Sequence, residues 1–374
     1  MKIEDGRIYL YYLFDIASEI RLEKLEKVFG RKPIESQFSY DRVTPKQVSY
    51  SQPPLLVKLG NKTKELSGKK FDYKLSAKIY DFGAISFRLS FTIPQTLDDL
   101  VSLSELLNEN LEIEKDVKKE LEKLKIELKE VLISSVPNDI SEDYLVFHIK
   151  KSDVSILSPS FTEQNQLLLA QIIRSDSGNL SESLVKESLK NSLSYFNTDL
   201  TLVDWNCSII FDSNEISDTL EIIEFANIEL LELRVYDAFL EKELDEIYSS
   251  VDSQNDRPWF LLALSPFSPT IKKLEKTRLD VLQVIDKVEN TVKLSGDPFL
   301  VKVYRTCSES FRVKEWKSNV SQKLEIMEDF YQTLTDRTQT DRLLLLEFLM
   351  LLIFLVEFIL IIISFFSGDV SAVL

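Results

Sequence analysis

The chain contains a single histidine, His148, in the strand-like segment YLVFHIKK. One imidazole excludes a His–His metal pair. It leaves Ser–His–Asp or Cys–His catalysis open only if His148 itself is the base. A histidine on a strand is otherwise a packed or edge residue, so both interpretations of His148 stay open from the sequence.

A kinase-like triplet, Asp81-Phe82-Gly83, lies in the segment YDFGAISF. Kinases use this triplet to bind metal, together with a Gly-rich loop, a lysine strand and an HRD-like loop that this sequence lacks. With only eight glycines, the chain also offers no phosphate-cradling loop of either common type. We therefore interpret the triplet as a β-turn and predict no cofactor.

Closely spaced glutamates form two ExxE pairs in a predicted helix that begins at Asp218; they are Glu221, Glu224, Glu229 and Glu232. Paired ExxE motifs can bind two metal ions in a helical bundle, but such sites also need Glu-x-x-His motifs, which this chain lacks. We therefore predict no metal site and expect these carboxylates to form a solvated acidic face.

Composition limits the classes of partner and the compartment. Asp and Glu outnumber Lys and Arg by 61 to 45, for a formal net charge of −16. Nucleic acid attracts clustered Lys and Arg, so we predict no nucleic-acid partner. The two cysteines, Cys207 and Cys307, lie far apart with no partner motif, which excludes a disulfide framework and a thiolate zinc site and suits a reducing compartment.

The segment Leu343 to Phe366 is apolar over 24 residues, apart from Ser364 and two glutamates. As a helix it is about 36 Å long, against a hydrocarbon core of about 30 Å, so we predict one transmembrane helix at 343–366. Arg337 and Arg342 precede it at the interface. The positive-inside rule then places the N-terminal part on the cytoplasmic or matrix side. We expect a single-pass, tail-anchored protein without a signal peptide, with a short tail at 367–374.

Two acids interrupt this apolar segment at different depths. Glu347 lies about 6 Å along the predicted helix, near the interface, and Glu357 lies about 21 Å along it, near the middle. An ionised carboxylate there costs on the order of 2.5–3.5 kcal/mol on insertion scales, so we expect Glu357 to be protonated or to face a partner. We predict an intramembrane polar contact at Glu357, within a homo-oligomer or with another membrane protein, and a second one at Glu347, which can reach the interface and pair with Arg342.

The remaining pattern predicts an α+β protein, with a mixed α/β domain at 1–212 and a helical region at 213–342. Alternating apolar residues indicate strands at RIYLYYLFDI, at YLVFHIKK, at LTLVDWNCSIIFD and on both sides of Gly83. Apolar steps of three and four predict helices at about 18–30 and 97–133 and in ESLVKESLKNSLSYF. Beyond 212 they predict long helices that form an antiparallel, coiled-coil-like hairpin or stalk leading into the membrane segment.

The C-terminal segment DRLLLLEFLMLLIFLVEFIL resembles the signature of the YagE-type family, which includes the proteins named "required for meiotic nuclear division". Arg342, Glu347 and Glu357 carry the resemblance, supported by LELRVYDAFLEKELDEIY and YDFGAISFRLSF. The resemblance implies a membrane-anchored protein without established enzymatic activity. Organellar members of that family are associated with the mitochondrial inner membrane and with support of translation there.

The leading hypothesis from the sequence is a non-enzymatic scaffold or adaptor that is anchored in a lipid bilayer and binds through its helical hairpin and α/β domain. The alternative is an enzyme or nucleotide-binding protein whose site lies in the α/β domain and uses Asp81, Lys150 or His148. A third possibility is a channel or transporter assembly, which one span per chain permits only as an oligomer.

Overall fold

The computed structural model describes residues 1–25, 34–35, 48–50, 53–108, 110–133, 139–153, 159–196, 198–214, 216–255, 268–294 and 297–367. The strands in these ranges are β1 (Ile3–Asp15), β2 (Glu19–Ile20), β3 (Ile34–Glu35), β4 (Val48–Tyr50), β5 (Leu55–Leu66), β6 (Lys69–Ile79), β7 (Ala84–Thr92), β8 (Leu132–Ile133), β9 (Ser141–Ser152), β10 (Ser192–Leu193), β11 (Leu200–Val203), β12 (Cys207–Phe211) and β13 (Val292–Leu294). The α-helices are α1 (Leu97–Leu107), α2 (Leu111–Leu128), α3 (Pro159–Arg174), α4 (Glu182–Ser188), α5 (Ser217–Asn255), α6 (Ser268–Thr291), α7 (Pro298–Ser310) and α8 (Val313–Ser367).

Within the described residues, nine strands form one sheet in the order β10-β11-β12-β9-β1-β7-β6-β5-β3. Neighbouring strands are antiparallel except β12 and β9, which are parallel and joined through α3 and α4. This mixed sheet, followed by long helices, confirms the predicted α+β class.

The two faces of the sheet follow from the alternation of side chains along its strands. On β1, Ile8, Leu10 and Tyr12 are buried in a core formed with α1, α2 and α3. Arg7 and Tyr9 point to the opposite face. The same alternation on β6, β7 and β9 gives the sheet an apolar first face and a mixed second face.

Helix α5, over its residues up to Tyr236, covers the second face together with α7. Here α5 is buried almost all round, because the sheet lies on one side of it and α7 lies on another. The Tyr304 hydroxyl of α7 donates to Glu229 of α5 at 2.5 Å. Beyond the end of α7, Phe311 packs edge-on against Tyr144 of β9, with ring centroids 5.2 Å apart.

The predicted single helix at 97–133 is wrong: it is divided into α1 and α2. Asn108 ends α1 with an extended backbone, and the Asn110 side chain caps α2 by accepting hydrogen bonds from the amides of Glu112 and Ile113. A residue that satisfies the free amides of a helix N-terminus favours a new start over continuation. The predicted apolar stripe of α2 is confirmed, since Val117, Leu121 and Leu124 among others are buried.

Four other short segments differ from the prediction because strand pairing and turns override the local periodicity. The start of the predicted helix at 18–30 forms β2, which pairs with β8, and a 3-10 turn at Leu22–Lys24, while residues 26–30 lie outside the described residues. The segment after α4 turns into β10, and the single strand predicted at 200–212 is a hairpin of β11 and β12. A strand also forms beyond residue 212, since β13 pairs with β4.

The chain divides into two compact units, Met1–Tyr236 with Gln283–Ser318, and Asp237–Leu282 with Asn319–Leu374. The segment 213–342, predicted as one helical region, is therefore shared between both. The predicted short tail at 367–374 lies outside the described residues except for Ser367.

In the second unit, three helices contact one another. Lys323 of α8 bonds Asp237 of α5 at 2.9 Å, and Phe330 of α8 packs on Tyr248 of α5. These helices run in the same direction, since the contacts advance together along both. Helix α6 joins them through ion pairs from Lys273 to Glu243 of α5 and from Arg278 to Glu328 of α8. The predicted two-helix hairpin thus gains a third helix, and these contacts give a coiled coil no support.

Gly83 joins β6 to β7 in the predicted turn, with a φ of +106°. A Cβ at this position would lie 1.5 Å from the carbonyl oxygen of Ala17. We expect Gly83→Ala to lower the free energy of unfolding by several kcal/mol, because strain of about 1–3 kcal/mol adds to displacement of the Ala17 backbone. Chemical denaturation of the full chain in detergent measures this change.

Gly60→Ala is the matched control, since Gly60 has a φ of +94° but no atom within 4 Å of its added Cβ. The stability loss of Gly60→Ala therefore measures the backbone strain alone, without a steric clash. Equal losses in the two variants would contradict the close approach of Ala17.

Candidate functional site

The most exposed apolar surface in the described chain is the C-terminal part of α8. Side chains over 343–363 are almost all exposed, and Leu351 shows 68% of its surface. The helix is long and apolar enough to cross a membrane, and none of its most apolar 18-residue window is buried inside the chain. A core helix of a soluble protein would be mostly buried, so this surface is a candidate site of contact with lipid or with another helix.

The structure places the predicted polar residues of this segment on one continuous helix. Glu347 and Glu357 are both exposed on it, about 80° apart around the helix axis. Arg342 is exposed and Arg337 is half-buried on the preceding turns. The predicted contact of Glu357 with a partner helix stays a prediction.

Asp81 lies far from His148 and Lys150, the other two residues suggested for an enzyme site, which are two positions apart on β9. His148 pairs in register with Arg7 near one end of β1, whereas Asp81 lies in the turn beside Asp15 and Ala84 at the other end. Eight residues of strand separate these ends, which is roughly 26 Å. His148 is buried, and its Nε2 donates to the carbonyl oxygen of Asp212 at 2.9 Å. It is a packed strand residue, one of its two predicted interpretations.

The expected solvated acidic face is wrong. Glu224 is 1% exposed, and it and Glu221 each bond the ammonium of Lys78 at 2.6 Å. Lys78 lies on β6 and is itself buried. Burial lowers the pKa of Lys78, but the two carboxylates outweigh that effect and raise it above its usual value. The ExxE spacing therefore serves an ion-paired contact between helix and sheet.

The next acids along α5 are also buried. The carboxylate oxygens of Glu232 have no hydrogen-bond partner among the described residues. Burial, and then the nearby Asp15 at the end of β1, raise the pKa of Glu232 well above its usual value. Burial also raises the pKa of Asp15 to about 7, against hydrogen bonds from the Ala17 and Ile16 amides that lower it. Near neutral pH, at least one of the two carboxyl groups, Asp15 or Glu232, is therefore protonated.

Another ion pair joins the same helix to β9. Arg234 of α5 bonds Glu142, and its guanidinium also lies 5.8 Å from the ring centre of Trp316. Burial raises the pKa of Glu142 to about 7, although Arg234 lowers it.

Both cysteines are buried and free, and burial raises the pKa of Cys307 to about 12, so neither is a reactive thiol.

A cavity of about 340 Å³ opens on the second face of the sheet, beside the start of α5. Four cationic side chains line it from four neighbouring strands: Arg7, Lys58, Lys74 and Arg88. None of its described lining residues is acidic. Spacing along the sequence does not reveal this group, because its members are up to 81 positions apart. The signal that could have found it is basic residues on the polar face of successive strands.

A sheet with helices on both faces and a C-terminal helix apolar enough to cross a membrane define an α+β protein, with one candidate membrane span among the described residues. The family model for the uncharacterized protein MJ0711, N-terminal domain, matches residues 5–218, and the chain belongs to that family. The uncharacterized protein MJ0711 of Methanocaldococcus jannaschii is 30% identical to this chain over 203 residues. This alignment covers 54% of the chain but 61% of the relative, which is less than two thirds of the relative's length. No solved structure matches the chain.

The resemblance to the YagE-type family is therefore wrong. It depended mainly on Arg342, Glu347 and Glu357 in the apolar segment, whereas the matching family model covers the sheet and ends at residue 218. An apolar helix uses few residue types, so a short pattern of glutamates within it carries little information about ancestry.

We expect Glu232→Gln to remove a pH dependence from folding. The pKa of Glu232 is raised in the folded state, so its stabilising contribution is complete below about pH 4.3 and declines as the pH rises toward the folded-state pKa. The variant should gain stability over wild type as the pH rises from about 5 to 8, by up to about 1.4 kcal/mol per pH unit. Urea denaturation of the full chain in detergent at several pH values measures this difference.

Glu105→Gln serves as the control, because Glu105 is exposed on α1. The same measurements on this variant show what the loss of a solvent-exposed carboxyl group does to stability. Parallel curves for Glu232→Gln and wild type would contradict a buried protonated carboxyl group.

Proposed function

We propose that this protein is a scaffold or adaptor anchored in a bilayer by the C-terminal part of α8. The observation that supports the proposal is the exposed apolar surface over 343–363. Leaving a Leu, Ile or Phe side chain in water costs roughly 1.5–3 kcal/mol relative to burying it. An apolar surface of this length is therefore expected to be buried against lipid or another protein, and its length matches the thickness of the hydrocarbon core of a membrane.

The flanking charges support one orientation of the anchor. Arg337 and Arg342 precede the apolar segment, and no Lys or Arg follows Arg342 in the printed sequence. Because basic residues favour the cytoplasmic side, the sheet domain faces the cytoplasm in this proposal, or the matrix in an organelle.

Glu357 supports the scaffold role rather than simple anchoring. A carboxyl group near the middle of a span is stabilised when it bonds a polar group on another helix. The proposed partner is a second copy of the chain or another membrane protein. The net charge of −16 continues to argue against nucleic acid.

The alternative of an enzyme or nucleotide-binding protein receives no support from His148 and Asp81, which lie at opposite ends of β1. Its support is limited to the cationic cavity on the second face of the sheet.

We expect the full chain to stay in the membrane pellet on alkaline carbonate extraction. Leu352→Arg combined with Ile359→Arg should move it to the supernatant, because each arginine at the centre of a span costs about 2.5–3.5 kcal/mol. Cell fractionation with immunoblotting measures the distribution.

Thr333→Arg with Gln339→Arg is the matched control, since both residues are exposed on α8 before the apolar segment. This variant should stay in the pellet. Extraction of the wild-type chain by carbonate would overturn the anchor.

We expect Glu357→Leu to weaken association between spans, because leucine has no polar group that could form the hydrogen bond between helices. Crosslinking in native membranes should show a reduced crosslinked fraction for Glu357→Leu and a retained fraction for Glu357→Gln, whose amide still bonds. Glu347→Leu, near the interface, should change little. Unchanged crosslinking of Glu357→Leu would refute the contact.

A further inference from the structure

The cationic cavity is built from adjacent strands of the sheet. Arg88 of β7 pairs in register with Ser76 of β6, and Ser76 pairs with Lys58 of β5. Lys74, two residues from Ser76, projects from the same face of β6. Since neighbouring strands lie about 4.8 Å apart, these cationic side chains lie close to one another on the same face of the sheet.

The acids on the adjoining helix do not line this cavity. Glu221 and Glu224, on the first turns of α5, each bond Lys78 at 2.6 Å. No described lining residue carries a negative charge, although acids outnumber bases 61 to 45 in the whole sequence. The lining residues are therefore cationic in a chain that is acidic overall. Glu224 and Glu221 nevertheless act electrostatically on the guanidinium of Arg88 from beside the cavity.

Arg88 is held in place within the cavity. Its guanidinium lies over the ring of Tyr9, 5.8 Å from the ring centre, and its stem is half-buried between strands. Stacking of this kind orients the planar fork of an arginine and lowers the entropy lost when the fork bonds an anion.

We propose that this cavity binds a phosphate ester, with the phosphate held by Arg7, Lys58, Lys74 and Arg88. Four cations and the fork of each arginine match a doubly charged group with several acceptor oxygens. Leu56, Ile216 and Leu220 line the same cavity and provide an apolar surface for the organic part of the ligand. A volume of about 340 Å³ suits a small ester.

A phosphate ester can come from solution or from a lipid headgroup, and two sets of probes distinguish these sources. The full chain in dodecyl maltoside is titrated by calorimetry with AMP and glycerol 3-phosphate, and with adenosine and glycerol as uncharged controls. A parallel titration uses dihexanoyl phosphatidic acid below its micelle concentration, with dihexanoyl phosphatidylcholine as its control. Binding of the first set indicates a soluble ester, and binding of phosphatidic acid alone indicates a headgroup.

The variant Lys58→Met with Lys74→Met tests the site, since both side chains are exposed. We expect affinity for the bound ester to fall at least about tenfold, the loss of one charge-assisted hydrogen bond or more. Lys70→Met is the matched control on the same face of β6, outside the cavity, and should stay within about twofold of wild type.

Two results would overturn the proposal: no ester binding below about 10 mM, or equal affinity in the double variant and wild type. Matching thermal unfolding midpoints of the variants confirm that they are folded. The proposal is independent of membrane anchoring, because the titrations are made in detergent and do not require a bilayer.

Discussion

Three charges, buried Lys78 and Glu224 with half-buried Glu221, fix helix α5 against the second face of the sheet. An ammonium in this position is tolerated only because each carboxylate bonds it at 2.6 Å. Removal of one partner from such a buried group costs on the order of 3–5 kcal/mol, since the remaining charge is left unpaired. The contact therefore specifies which turn of α5 meets β6, and it places the later acids of the helix beside Asp15 and β9.

The same helix borders the cationic cavity of this acidic chain. Glu221 and Glu224 bond Lys78 and also act electrostatically on Arg88, but neither of them lines the cavity. Arg7, Lys58, Lys74 and Arg88 face the same space. Positive and negative side chains are therefore distributed unevenly over this domain, and the net charge of the chain does not show this distribution.

Predictions from the sequence succeeded where the periodicity of apolar residues directly reflects which face of an element is buried. Alternation along β1, β6, β7 and β9 gave the strands, and the apolar segment of α8 is one unbroken exposed helix. They failed where a local contact competes with periodicity, as at Asn110, where a cap divides the helix predicted at 97–133. The family resemblance failed for another reason, since it depended on a few residues in an apolar segment while the matching region is the sheet domain.

The sequence by itself determined the α+β class, the turn at Gly83 and a helix apolar enough to cross a membrane, because each depends on residues close together in the chain. Only the tertiary structure decided the environment of the charged residues. It buried glutamates that spacing alone assigned to solvent, separated His148 from Asp81, and gathered four cations from four strands. Side-chain environment depends on which distant strands and helices become neighbours, and that information is carried by packing rather than by local pattern.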